Sequence, residues 1–269
     1  MKNYLTTGEF AKLCRVKKQT LFHYDDIEIL QPEMVGDNGY RYYSYKQLEQ
    51  YSMISMLKDL EMPLAEIKEY MDRRSPENLI ELLKAEAVQA DKKLEEIKWI
   101  KHYIDTKTAI TRKATAMNYG EIFTEECHDE FFVATPYGGP ENDRALLTAI
   151  TDHMNYCHEK DIYSAYSIGG MVETAAVKNG EYVYSHFFTR LDEEGYEHNH
   201  VKKAGNYLAC CDNEGYHNLP EIGRELLDLA GKQRLETGRY FYEDVLIDEL
   251  AGKNDDDYVV KLSVYVTGL

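Results

Sequence analysis

Hydrophobic positions between residues 4 and 74 recur in short helical runs separated by tight joints. "TTGEFAKLC" places Phe10, Ala11 and Leu13 on one face, and Thr6 or Thr7 ahead of Glu9 has the form of a capping box. A bend at Cys14-Arg15-Val16 leads into a second short helix over 17–24. "QPEMVGDNGYRYYS" holds a proline, a Gly-Asp-Asn-Gly turn and an aromatic run, which predicts a β-hairpin. Ser44 is placed to cap the next helix, where Leu48, Tyr51, Ile54 and Leu57 recur at helical spacing. Pro63 opens another, with Leu64, Ile67, Tyr70 and Met71 inward.

Ser75-Pro76-Glu77 is a helix start with an N-cap, a proline at the first helical position and an early acid. No glycine or proline interrupts the chain from there to about residue 113. Ile80, Leu83, Ala87, Ala90, Leu94, Ile97, Lys101 and Ile104 alternate steps of three and four, a heptad seam on a helix roughly 50 Å long or more. A lone amphipathic helix of that length needs a partner. The seam predicts dimerisation through a coiled coil, with packing against its own chain as the alternative.

From residue 118 the pattern changes to short β-rich runs: "EFFVATPY", "SAYSIGGMV", "YVYSHFF", "NYLACCD" and "YVVKLSVYV". Amphipathic helical patterns at 141–159 and 219–235 lie between them. Strands in sets with two such helices predict an antiparallel sheet packed on helices along one face. The expected fold class is α+β, with segments 1–74, 75–117 and 118–269.

Charge sharpens this division. The chain carries a net −17, and residues 118–269 alone, with twelve Lys/Arg and twenty-nine Asp/Glu, account for all of it. The front is close to neutral, so the acidic balance does not oppose a nucleic-acid contact there; it suggests that the back handles a cation. No apolar run approaches a membrane span, and the N-terminus has no apolar leader core, so a cytoplasmic location without membrane contact is expected. Five irregularly spaced cysteines fit reduced thiols.

Two helices with a tight bend, then a hairpin, is the layout of a winged helix-turn-helix, whose second helix enters the major groove. Lys17, Lys18, Gln19 and His23 give polar reach on that helix, and Arg41 with Tyr40, Tyr42 and Tyr43 gives donors on the wing. Taken alone, these residues also fit the solvated face of a small helical interaction domain.

"LTTGEFAKLCRVKKQTLFHYDDIEILQP", "NGYRYYSYKQLEQ" and "MLKDLEMPLAEIKEYM" resemble the DNA-binding domain of MerR-type transcription regulators over residues 4–72, with Gly-Tyr-Arg-Tyr-Tyr the most specific stretch. The resemblance implies a homodimer held by an antiparallel coiled coil on a pseudo-palindromic promoter site. Such regulators distort an overlong promoter spacer so that RNA polymerase engages both promoter elements. It further implies that Lys17, Lys18, Gln19, His23 and Tyr24 face the groove, that Tyr40, Arg41 and Tyr42 act on the wing, and that Lys58 contacts phosphate. Phe22 stands where the family pattern has arginine, and Glu28 where it has glycine. The lost donor implies weaker or retuned binding, with a Phe22→Arg change expected to raise affinity.

The tail resembles the GyrI-like effector-binding domain of multidrug-sensing members. "YGGPENDRAL", "AGNYLACCDNEGYHNLPEIGRELLDLA" and "GRYFYEDVLIDEL" carry this similarity. It implies that an acid in the last segment sits in an aromatic pocket facing a lipophilic cation, and by position that acid is Glu243, beside Tyr242. A carboxylate in a low-dielectric site needs a charge partner, and aromatic faces add cation–π attraction. Fourteen of the twenty-three tyrosines follow residue 118, and Tyr166, Tyr184, Tyr207 and Tyr242 are the candidate lining. For any one tyrosine, core packing is the plainer role; for Glu243 it is a solvated strand-end acid. Cys127-His128, His198-Asn199-His200 and Cys210-Cys211 lack the paired spacing of a zinc site, so no metal or other cofactor is expected. A protein or peptide partner for the tail, or a metal ion, is the alternative. No nucleophile elbow or phosphate loop appears, and catalysis is not expected.

Overall fold

Thr6 and Glu9 close a capping box at the first helix: the Glu9 carboxylate accepts from Thr6 N–H at 2.8 Å while Thr6 Oγ1 accepts from Glu9 N–H at 3.4 Å. This lies in a computed structural model that describes residues 4–140, 142–192 and 197–268. Glu141, the first residue of the helix expected over 141–159, lies outside them. The chain divides into two units, Met1–Glu96 and Ile97–Leu269.

The first unit runs β1 (Tyr4–Thr6), α1 (Thr7–Leu13), α2 (Lys18–Asp26), β2 (Met34–Val35), β3 (Arg41–Ser44), α3 (Gln47–Asp59) and α4 (Leu64–Asp72). The strands form an antiparallel sheet in the order β1-β3-β2, so the expected hairpin gains a third strand. Phe10, Ala11, Leu21, Tyr24, Ile54, Leu57 and Ile67 are buried in one cluster, whereas Leu13, expected on that inner face, is exposed. Ser44 does not cap α3. It ends β3 opposite Tyr4, its hydroxyl turns to Glu33, and the helix starts later behind Lys46.

Ser75 Oγ accepts from Asn78 N–H at 3.1 Å at the start of α5 (Pro76–Thr115), a continuous helix of 40 residues. Ile80, Leu94, Ile97 and Ile104 of its seam are all at least half exposed on this chain.

The second unit continues with β4 (Ile122–Cys127), β5 (Glu130–Pro136), α6 (Asp143–Glu159), β6 (Gly169–Glu173), α7 (Thr174–Lys178), β7 (Tyr184–Arg190), β8 (His200–Lys202), β9 (Gly205–Asp212), α8 (Leu219–Lys232), β10 (Glu236–Ile247) and β11 (Val259–Thr267). Eight antiparallel strands form one sheet in the order β4-β9-β11-β10-β6-β7-β5-β8. Strand alternation sorts its residues. On one face Phe241, Leu262, Val264, Leu208 and Cys210 pack on Leu219, Ile222, Leu226 and Ala230 of α8. On the other, Phe132, Met171, Phe188, Tyr207 and Tyr242 form an aromatic cluster.

That second face also holds buried charge. The Lys202 ammonium, without solvent exposure, is 3.3 Å from Glu130 and 3.5 Å from Asp244, and lies over the Tyr207 and Tyr242 rings. Lys261 pairs with Glu125 at 2.7 Å and with Asp244 at 3.4 Å. Burial alone would raise the Asp244 carboxyl; the two ammonium groups hold it well below the usual carboxylate range.

Candidate functional site

Polar side chains gather on the α2–wing surface and around a cavity in the second unit. Arg15 takes a left-handed φ of +56° in the joint between α1 and α2, and Val16 N–H returns to Ala11 O, which sets the bend. Lys17, Lys18, Gln19 and His23 are then exposed along α2, with Tyr40 exposed and Arg41 and Tyr42 partly exposed on the wing. The Lys18 stem lies against Gly8, where a Cβ would come within 3.0 Å of its Cε.

Arg41 is held in place. Its Nε donates to Asp25 at 2.6 Å, and its guanidinium lies 5.1 Å from the centre of the Phe22 ring. Phe22 thus serves as a platform for the wing arginine. Glu28, at the family's glycine position, takes a left-handed φ of +58°, a conformation glycine adopts at little steric cost, and its carboxylate pairs with Lys68 at 3.1 Å. Tyr24 differs from the expectation: it is 3% exposed and packs in the core, because Leu21 and Tyr24, three apart, share the inner face of α2. Its ring instead lies 5.9 Å from the Lys58 ammonium, and Lys58 is exposed. Tyr43 is likewise removed from the wing surface. It stacks on Phe10 at 4.6 Å, and burial pushes its hydroxyl up to about 12.

The cavity in the second unit has a volume of about 800 Å³. Its walls come from α5 (Tyr103, Lys107), α6 (Leu146, Leu147, Ile150, Met154), the segment before and into β6 (Tyr166, Ser167, Ile168, Gly169, Gly170), β7 (Tyr184, Phe187) and the β10–β11 region (Glu243, Val245, Asp248, Tyr258). Apolar and aromatic walls around a few acids are the usual make-up of a small-molecule site.

Glu243 is 1% exposed and faces this cavity from the middle of β10. Its carboxylate accepts from Tyr182 Oη–H at 2.5 Å and from Tyr184 Oη–H at 3.0 Å. Burial, then the neighbouring carboxylate, pushes the Tyr182 hydroxyl well above the ordinary phenol value, so it remains a donor. Gly170 sits opposite Glu243 in register on β6. A Cβ there would lie 2.5 Å from the Tyr184 ring and 3.1 Å from Glu243 Oε2. The glycine lets ring and carboxylate approach the strand.

Asp248, just after β10, accepts from Ser167 Oγ–H at 2.5 Å and pairs closely with Lys107, whose ammonium also donates to Ser167 Oγ at 2.9 Å. Burial acts to raise the Asp248 carboxyl, but these donors bring it below the usual range.

The structure therefore brings Glu243, Tyr184 and Tyr166 to one cavity. The Tyr166 ring also lies 4.3 Å from the Arg190 guanidinium. It does not bring Tyr242 or Tyr207 there. Tyr242 follows Phe241 and precedes Glu243 in an extended strand, so its side chain lies on the other face; there it meets Tyr207, and His200 Nε2 is 3.0 Å from its hydroxyl. Sequence reasoning missed Tyr182, Gly170, Ser167 and Lys107. Tyr182 had a readable signal: in "YVY" it stands two residues from Tyr184, the spacing that shares a side in an extended chain.

A second cavity of about 630 Å³ lies between α6 and strands β5 and β7, lined by Tyr137, Arg144, Thr148, His153, Tyr156 and Phe187. His153 in its floor is fully buried between Thr135 Oγ1 at 2.8 Å and Thr189 Oγ1 at 2.9 Å. Cys210 and Cys211 are buried in β9, and burial pushes their thiols up to about 11 and 12. Among the described residues no helix is long and apolar enough to cross a membrane.

Residues 5–74 match the model of the MerR HTH family regulatory protein. The multidrug-efflux transporter 2 regulator of Bacillus subtilis (strain 168) is 32% identical over 268 residues, which span 99% of this chain and 97% of that protein. The multidrug-efflux transporter 1 regulator of the same organism is 26% identical over 191 residues, 70% of this chain and 68% of that protein. A solved structure, the EcmrR–DNA complex, aligns with 98% of this chain and 100% of that one at 17% identity and a TM-score of 0.45. The 32% identity to the multidrug-efflux transporter 2 regulator over nearly the whole of both chains, with the helix-turn-helix match at residues 5–74, shows that the chain belongs to the MerR family of transcription regulators.

Proposed function

We propose that this chain is a homodimeric promoter regulator in which the α2–wing surface binds DNA, α5 pairs two copies, and the cavity around Glu243 takes a lipophilic cation that switches transcription on. Lys17, Lys18, Gln19, His23, Tyr40, Arg41, Tyr42 and Lys58 are the DNA-facing set, with the segments 1–74, 75–117 and 118–269 as head, dimer helix and effector domain. The half-exposed seam of α5 supports the pairing: apolar residues at heptad spacing are buried most readily by a second copy. The relatives that regulate multidrug-efflux transporters support an effector of drug-like chemistry.

The observation that carries the reading is Glu243, a buried carboxylate with two tyrosine hydroxyls, in a cavity with apolar and aromatic walls. Such a site favours a cation that brings its own apolar surface, because the bare charge cost of burial is met by the ligand rather than by water. Calorimetric titration with tetraphenylphosphonium tests it. Glu243→Gln should weaken binding on the order of 30-fold, while the anionic isostere tetraphenylborate should not lose affinity. Equal loss for both ions, or none for the cation, would remove Glu243 from the site.

A further inference from the structure

The effector cavity contains an ammonium of its own. Lys107 and Tyr103, one turn apart on α5, both line it, so one wall is the helix that begins at Pro76. Lys107 is bound to Asp248 and Ser167, and Ser167 donates to the same carboxylate oxygen. The side chains of Lys107 and Asp248 are only 16% and 11% exposed, which places the pair largely out of solvent screening. All three members line the cavity that holds Glu243.

We propose that Lys107 is a built-in competitor for the effector: a cation entering the cavity draws on Asp248, repels the Lys107 ammonium, and releases α5 at that point. The idea rests on the cavity being a cation site. A strut with no regulatory part would be expected away from the ligand's charge; here that charge must act on both partners at once. The sign of the coupling follows from electrostatics. A cation drawn to Asp248 loosens the pair, and by linkage the pair weakens cation binding to the same extent that the cation weakens the pair. Farther toward the N-terminus, α5 is also held by Trp99 against Tyr163 and by His102, whose Nε2 is 3.1 Å from Asp192. Lys107 is the anchor that shares the cavity.

Lys107→Met in the full-length protein separates the roles. Its affinity for tetraphenylphosphonium should rise about tenfold, and that for tetraphenylborate should fall, while Lys107→Arg, which keeps the charge, should bind like the wild type. Amide hydrogen exchange over residues 103–111 gives the second reading. Without ligand it should be faster in Lys107→Met than in the wild type, and tetraphenylphosphonium should accelerate it only in the wild type. Unchanged or weaker cation binding by the methionine variant overturns the competition, and unchanged ligand-free exchange overturns the anchor. Should the wild type fail to bind the cation at all, the effector reading falls, and the ligand-free exchange still decides whether Lys107 holds the helix.

Discussion

Glu243 and Asp244 are consecutive carboxylates that face opposite sides of one sheet. Glu243 points to the cavity and accepts from Tyr182 and Tyr184; Asp244 points to the aromatic face and is matched by Lys202 and Lys261. Period-two alternation gives neighbouring acids different work. Asp244→Asn should leave Lys202 and Lys261 undercompensated and cost about 3 kcal/mol in urea unfolding. Glu243→Gln should cost far less stability and show its effect in cation binding. Similar stability losses for both would contradict this split.

Gly170 fixes how near Tyr184 and Glu243 can come to β6. Gly170→Ala forces its methyl into the Tyr184 ring at 2.5 Å. The ring must move and takes its hydroxyl away from Glu243. Tetraphenylphosphonium affinity should drop at least about tenfold, from one lost charge-assisted hydrogen bond and a displaced wall. Wild-type affinity in this variant would mean that the approach is incidental.

His153 should make the protein acid-sensitive in a defined window. Burial lowers its pKa from 6.5 to about 4, so between those values the unfolded chain binds a proton that the folded chain does not. The contribution to stability is complete above pH 6.5, declines as pH falls toward 4, and amounts to about 3 kcal/mol over the window. His153→Gln, which can still bond the two threonines, should flatten the pH dependence of the urea midpoint there. An unaltered slope would assign the acid sensitivity elsewhere.

On the α2–wing surface, the Arg41 guanidinium lies 5.1 Å from the centre of the Phe22 ring. Arg41→Ala should lower promoter affinity about tenfold and reduce the salt slope by about one. Phe22→Leu, which keeps bulk but removes the ring, should cost about threefold. Phe22→Arg would set two guanidinium groups together, so the affinity gain expected from an added donor should be offset by repulsion. Fluorescence anisotropy on a promoter fragment at several salt concentrations measures all three.

What the sequence disclosed, and what it hid, follows from range. The capping box at Thr6 and Glu9, the helix start at Ser75 and the strand–helix alternation are local patterns, and each appears where its residues predict. Tyr24 and Tyr242 stand away from the sites that the family resemblance implies, as local periodicity requires: a residue three from Leu21 shares its buried face, and one next to Glu243 cannot share its strand face. Lys107 and Asp248 are 141 residues apart, and nothing near either one announces the other.

β10 and β6 occupy the two central places in the eight-strand order, flanked on both sides by paired strands. The carboxylate of Glu243 and the gap at Gly170 are therefore mounted where the backbone opens least often. Side chains such as Leu147 and Met154 on α6, both more than half exposed, make up another wall. As the proposed effector site, this cavity would be strict about the sign of charge and lenient about molecular outline, because its electrostatic anchor is stiff and its apolar boundary can repack.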